Sequence, residues 1–357
     1  MIRGETFSVT TTFETDRPYL NGTGNFTLES SDAAFGQDVY LVWFALDQDN
    51  NGMGALSIGK STETGSFRIN HTTGNNQYNG PVVIRGTNIE IYKNLNVNSL
   101  NQDILLKARG YVWLDANDTL QTNGGDIIFW SDSDNSQGSN FSVADYIYMQ
   151  AGNSLISKGG DIILAGGPDT NNDSIPDGYA YCGVAGVGGI NLGPATGTGT
   201  AVSLLSNGGD ILIRGRTAYT TDIRSGIVSQ ANVLINAGTG RIDMEGVSSV
   251  SHGIEFTWSA TPNIAITSSY AGVGPAIRIA GGSTLDVADG IRLINANSGN
   301  VLIQSSSPTG GGILIEGSQT SAGNTALRLA NENSTSNIQL LSGNGDITIR
   351  AAPVGFV

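Results

Sequence analysis

The apolar positions of this chain fall in short alternating runs. In AIRIAG (Ala276 to Gly281) Ile277 and Ile279 flank Arg278, and in GIRLINA (Gly290 to Ala296) Ile291 and Leu293 flank Arg292. Alternation with period two predicts strands with one buried face. Similar runs recur from Pro81 to Arg350, among them PVVIRG, NIEIYK, QDILLKA, GDIIFW, YIYMQA, NVLINA, RIDMEG, NVLIQS and GILIEG. Each is rich in β-branched residues and bounded by Gly, Asn or Ser, the residues that turn a chain. No comparable stretch carries a helical period, so the chain is expected to be all-β.

Several runs are near copies of one phrase. SNGGDILIRG begins at Ser206, TNGGDIIFWS at Thr122, SKGGDIILAG at Ser157 and SGNGDITIRA at Ser342. Gly-Gly can turn at a corner, and the Asp after it can hydrogen-bond the corner backbone. Asp103, Asp126, Asp161 and Asp210 head related strands at intervals of 23, 35 and 49 residues. A closed barrel fixes strand register around its ring, and inserts of such unequal length would disrupt it. A coil that touches only its neighbours accepts them at a corner. The pattern therefore predicts a right-handed parallel β-helix, a solenoid with variable loop insertions. With about 22 residues per coil and about 4.8 Å between coils, the repeats would form a rod of roughly 12 coils and 60 Å. Residues 81–357 are assigned to these repeats, which are expected to continue beyond the chain end. Residues 1–80 (FSVTTTFETD, GNFTLESS, DVYLVWFALD) are more aromatic and less repetitive and predict an irregular N-terminal β region or cap.

GGDIIFWSDSDN and GGDIILAGGPDTNNDSIPDGYAY resemble the coils of giant filamentous-haemagglutinin-like surface adhesins, above all the very large repeat proteins of gliding and biofilm-forming Bacteroidota. The resemblance spans roughly residues 80–350. It implies a non-catalytic stalk or adhesive segment of an extracellular bacterial surface protein, attaching cells to surfaces, to one another or to polysaccharide. Two rival expectations are a polysaccharide-active β-helix enzyme and a subunit of an extracellular filament.

Composition narrows the choice. The chain has 50 Gly among 357 residues and only 13% charged residues, so its polarity comes from Asn, Ser, Thr and Gly. A hydrophobic content of 39% supplies a core. A net charge of −14, with 17 basic residues scattered along the chain, argues against nucleic acid as partner. The single cysteine, Cys182, cannot form an internal disulfide and is expected to be a small buried hydrophobe. The opening MIRGETFSVTTTFE is not a signal peptide, and no apolar run is long enough for a spanning helix.

The sharpest chemical signal is DTNNDSIPDG. Asp169, Asn171, Asp173 and Asp177 occupy positions 1, 3, 5 and 9, a spacing that lets oxygen ligands converge on Ca2+. The segment resembles a thrombospondin type-3 loop, with Ser174 where a glycine is usual. DQDNNG (Asp47 to Gly52) opens like an EF-hand loop but has Ile58 where the bidentate Glu belongs. Asp132 and Asp134 of SDSDNS read as a hydrated turn. Aromatics crowd between Tyr111 and Tyr181, and Trp113 and Trp130 are the candidate platform for sugar stacking, although half of such alternating residues should be core. Lone histidines, His71 and His252, and the absence of nucleophile-elbow, zinc or phosphate-loop motifs argue against catalysis.

Overall fold

The computed structural model describes residues 53–69, 76–136, 144–193 except 185, and 200–351 except 219–223, 258–262, 286–287, 296–298, 321–324 and 332–336, together with short pieces at 2–3, 19–20, 24–30, 35, 39–40 and 45–46. No α-helix occurs among the described residues. One coil shows the plan. Strand β1 (Val82–Gly86) lies on a first face, β2 (Ile89–Ile91) on a second and β3 (Leu95–Leu100) on a third, before β4 (Ile104–Ala108) returns to the first. β4 pairs parallel with β1, Ile104 beside Val82 and Leu106 beside Ile84. The chain is thus a three-faced parallel β-helix, with main-chain hydrogen bonds linking each coil to the next. Most described strands of the first eighty residues join the same sheets, while Tyr19–Leu20 and Ala45–Leu46 pair with each other in a separate two-stranded sheet. Phe26–Glu29 and Leu56–Ile58 precede β1 on the first face, and Phe67–Ile69 and Asn76–Tyr78 lie on the second and third.

The alternation builds the core. Ile104, Ile127, Ile162, Ile211, Ile242, Ile277 and Ile313 are successive register partners on the first face, and all are buried. Each such side chain contributes about 1.5–3 kcal/mol on leaving water.

The corners answer why Gly-Gly-Asp recurs. The amide of Asp126 donates to Oδ1 of Asp103 at 2.8 Å, and the next three rungs, Asp161 to Asp126, Asp210 to Asp161 and Arg241 to Asp210, are each 2.7 Å. Each aspartate thus accepts from the equivalent amide one coil on. Thr122, Ser157 and Ser206 each donate to a carbonyl three residues ahead, that of Gly125, Gly160 and Gly209 respectively, at 2.5 Å. The second glycine is needed for close approach, because a Cβ at Gly160 would lie 2.2 Å from the carbonyl oxygen of Gly125. At the opposite end of the first face a second glycine column, Gly215, Gly246, Gly281, is register-paired.

The longest inserts fall where the chain leaves the first face for the second. Fifteen residues separate Ile127–Ser131 from Ile147–Met149, and 23 separate Ile162–Gly166 from Ile190–Leu192. In the last described coil, Leu341, Ile347 and Ile349 are exposed.

Candidate functional site

Two features stand outside the scaffold. The first is an aromatic column on the outer side of the second face. Glu90, Trp113 and Tyr148 are outward register partners on three consecutive coils, between buried residues such as Val112 and Leu114. Trp113 stacks on Tyr148 with centroids 4.3 Å apart and planes 2° apart, and Tyr111 on Tyr146 at 5.1 Å and 7°. All four rings are half-buried. Their column ends at Glu90, which accepts from Tyr111 Oη at 2.7 Å, Tyr92 Oη at 3.0 Å and Arg68 Nε at 2.6 Å. Burial opposes the charge of Glu90, but these donors outweigh it and hold the carboxyl below its usual range. Trp113 is therefore half-buried on the outer side of the coil, stacked in this column.

Trp130 is instead fully buried, and its Nε1 donates to the Gly167 carbonyl at 2.7 Å. The reason is the insert after the first-face strand Ile162–Gly166. Residues 167–178 fold back over the outer side of that face, where Ile175 packs on Ile128, Trp130, Ile163 and Ala165. A small second core thus forms outside the coil, and Trp130 is its anchor rather than a sugar contact.

The same insert carries Asp169, Asn171, Asp173 and Asp177. Asp169 accepts from the amides of Asp173 at 3.2 Å and Ser174 at 3.0 Å, and Asp173 from that of Ile175 at 2.9 Å. Asn171 Nδ2 lies 3.0 Å from Asp173 Oδ2 and 3.4 Å from Asp177 Oδ1, a donor between two carboxylates. Hydrogen bonds from the Thr170 hydroxyl and amide hold the Asp177 carboxyl below its usual range. Ser174 takes φ of 71°, the conformation for which a glycine is usual. Asn171, Asp173 and Asp177 are thus brought together, while the Asp169 carboxylate meets the loop only through main-chain amides, and among the described residues no group of three or more His, Cys, Asp or Glu forms a metal cluster. DQDNNG and His71 lie outside the described residues, apart from Ile58, which is a buried core residue.

Other single residues resolve simply. Asp134 pairs with Arg109 at 2.9 Å, while Asp132 is buried and accepts from the Ser136 amide at 3.0 Å. Cys182 is buried, and desolvation pushes its thiol up to about 12. His252 is buried at a corner, where Nδ1 accepts from the Asp289 amide at 2.8 Å and Nε2 lies 2.9 Å from Arg292 Nη1. Desolvation lowers its pKa, which favours the neutral ring.

Sequence reasoning missed a gathering of cations. Arg85 and Lys107 fill the same place in VVIRG and ILLKA and are register partners, so two of the apparently scattered basic residues stand together. The signal was their common offset within the repeated phrase. No protein-family model, curated protein or solved structure matches the chain.

Proposed function

We propose that this β-helix is a non-catalytic, adhesive segment of a large extracellular bacterial surface protein, which attaches its cell to surfaces, other cells or polysaccharide. One observation carries the reading. The polar side chains that recur from coil to coil, aspartates and hydroxyls, are engaged in hydrogen bonds between and within coils. The residues that do not recur, such as the Trp113–Tyr148 column, stand on the outside, where flat rings suit sugar faces. Calcium belongs to the same proposal. It would take the place between Asp173 and Asp177 now held by Asn171 Nδ2, and so tie the insert down.

Beads coated with the chain should adhere to polysaccharide films, and Trp113→Ala with Tyr148→Ala should abolish most of that adhesion. Release of reducing ends or unsaturated products from the same films would replace this reading with the enzyme. The alternative reading is a subunit of an extracellular filament. Concentration-dependent rods in electron micrographs would select it.

A further inference from the structure

Cations collect on one patch of a chain whose formal charge is −14. Arg85 and Lys107 leave the outer side of the first face from adjacent strands, so their stems are about 4.8 Å apart. The Lys107 ammonium sits over the ring of its own register partner, Trp130, 3.3 Å from the centroid. Arg109 follows on the same strand end, and Lys60 lies across from it. With Ser61, Thr62 and Ser133 these four line a cavity of about 420 Å³.

Among the described residues, two of these cations lack a counter-ion. Arg109 is paired with Asp134. Glu63 is in the wall, but its Oε1 accepts from the amides of Phe35, Thr64 and Gly65 at 2.8, 3.1 and 2.9 Å. Among the described residues Arg85 and Lys107 form no ion pair, and the charge of Asp169 acts on Lys107 only from a distance. Burial lowers the pKa of both, and for Lys107 the neighbouring guanidinium lowers it further. Two half-buried like charges side by side are unfavourable unless an anion joins them. A second hollow of about 540 Å³ shares the paired Arg109 and Asp134 with the first, has Asp145 in its wall and reaches Tyr111 of the aromatic column.

We propose that this groove binds an anionic polysaccharide: a carboxylate or sulfate lies between Arg85 and Lys107, and an adjoining sugar ring lies against Tyr111. Guanidinium and ammonium donors supply the charge-assisted contacts, and the aromatic edge supplies a flat apolar wall. The proposal rests on the attachment reading and names the class of polymer attached.

Native affinity electrophoresis in gels containing polygalacturonate, dextran sulfate or uncharged dextran tests it. Retardation by at least one polyanion, and none by dextran, is expected. The retardation should fall at least tenfold in affinity for Arg85→Gln/Lys107→Gln, and weaken steeply with added NaCl. Lys107→Arg should keep most of it. Arg85→Gln alone, with an unchanged circular dichroism spectrum, serves if the double variant misfolds. The separate polyanion gels distinguish a carboxylate from a sulfate polymer.

Equal retardation by dextran, or full polyanion binding by the folded double variant, overturns the proposal. Self-association that the double variant abolishes would put an acidic surface of a second copy in the groove and overturn it equally. Bead adhesion that persists while both polyanions pass unretarded leaves the attachment reading and removes the groove. Polyanion retardation without any bead adhesion does the reverse.

Discussion

Asp161 is the rung on which the corner ladder can be tested. It accepts the Asp210 amide at 2.7 Å, while its own amide donates to Asp126. Replacing it by Ala removes one acceptor, and replacing it by Asn keeps an oxygen there but removes the charge. Desolvation, opposed by the Asp210 hydrogen bond and reinforced by Asp126 and Asp210, raises the Asp161 pKa. At a rung spacing of about 4.8 Å, each neighbouring charge costs about 1 kcal/mol in largely aqueous surroundings. Against that relief, a charged acceptor exceeds a neutral one by about 1 kcal/mol. Asp161→Asn should therefore lie within about 1 kcal/mol of wild type at pH 7, and Asp161→Ala about 1 kcal/mol below Asp161→Asn.

The assay is the urea midpoint at constant slope. The sign with pH follows from the raised pKa. Wild type gains stability from this group below the unfolded value and loses it as pH rises through the folded one, so Asp161→Asn should fare worst against wild type in acid. Equal midpoints for Asn and Ala would show that the rung does nothing. A loss above about 2 kcal/mol for Asn alone would mean that the charge itself is required, as for an ion.

Trp130→Ala should cost about 3–5 kcal/mol by emptying the outer core and should expose residues 167–178 to limited proteolysis, read on a gel. Gly281→Ala places a Cβ 2.3 Å from the Gly290 oxygen and should cost about 1–3 kcal/mol in urea, whereas Gly24→Ala, in open space, should change nothing. Asp145 is buried, and desolvation with the nearby Asp132 and Asp134 pushes its carboxyl up to about 7. Because the folded pKa is the raised one, its contribution is full below about pH 4 and lost as pH rises through about 7. Asp145→Asn should accordingly flatten the fall in melting temperature between pH 5 and pH 8. Terbium luminescence should report an ion at Asp169–Asp177, with Asp173→Asn quenching it.

The parallel coil was legible because strand phrases repeat with their isoleucines in step. Ile127, Ile162 and Ile211 begin GDIIFW, GDIILAG and GDILIRG, and they are register partners. Asp126 and Asp161 were readable as corner acceptors, although their acceptance from the next coil, rather than from their own turn, needed three dimensions. Trp130 was misread because its cover lies 37 residues onward in an insert, and insert paths carry no period. The extent of the coil toward the N-terminus was obscured by irregular spacing, although Phe26 and Leu56 keep register with the column that Val82 continues. Arg85 and Lys107 were visible only once charges were aligned by phrase rather than counted along the chain.

Main-chain bonds that tie coil to coil point along the long dimension of the molecule. A tug on its two tips therefore pries strands apart one at a time instead of sliding them past each other. The coil from Ile242 to Ile277 holds 35 residues, and once detached it could unravel to roughly 120 Å of slack. If the proposed attachment holds, a cell tethered by such a chain would be held by a line that lengthens in steps under drag.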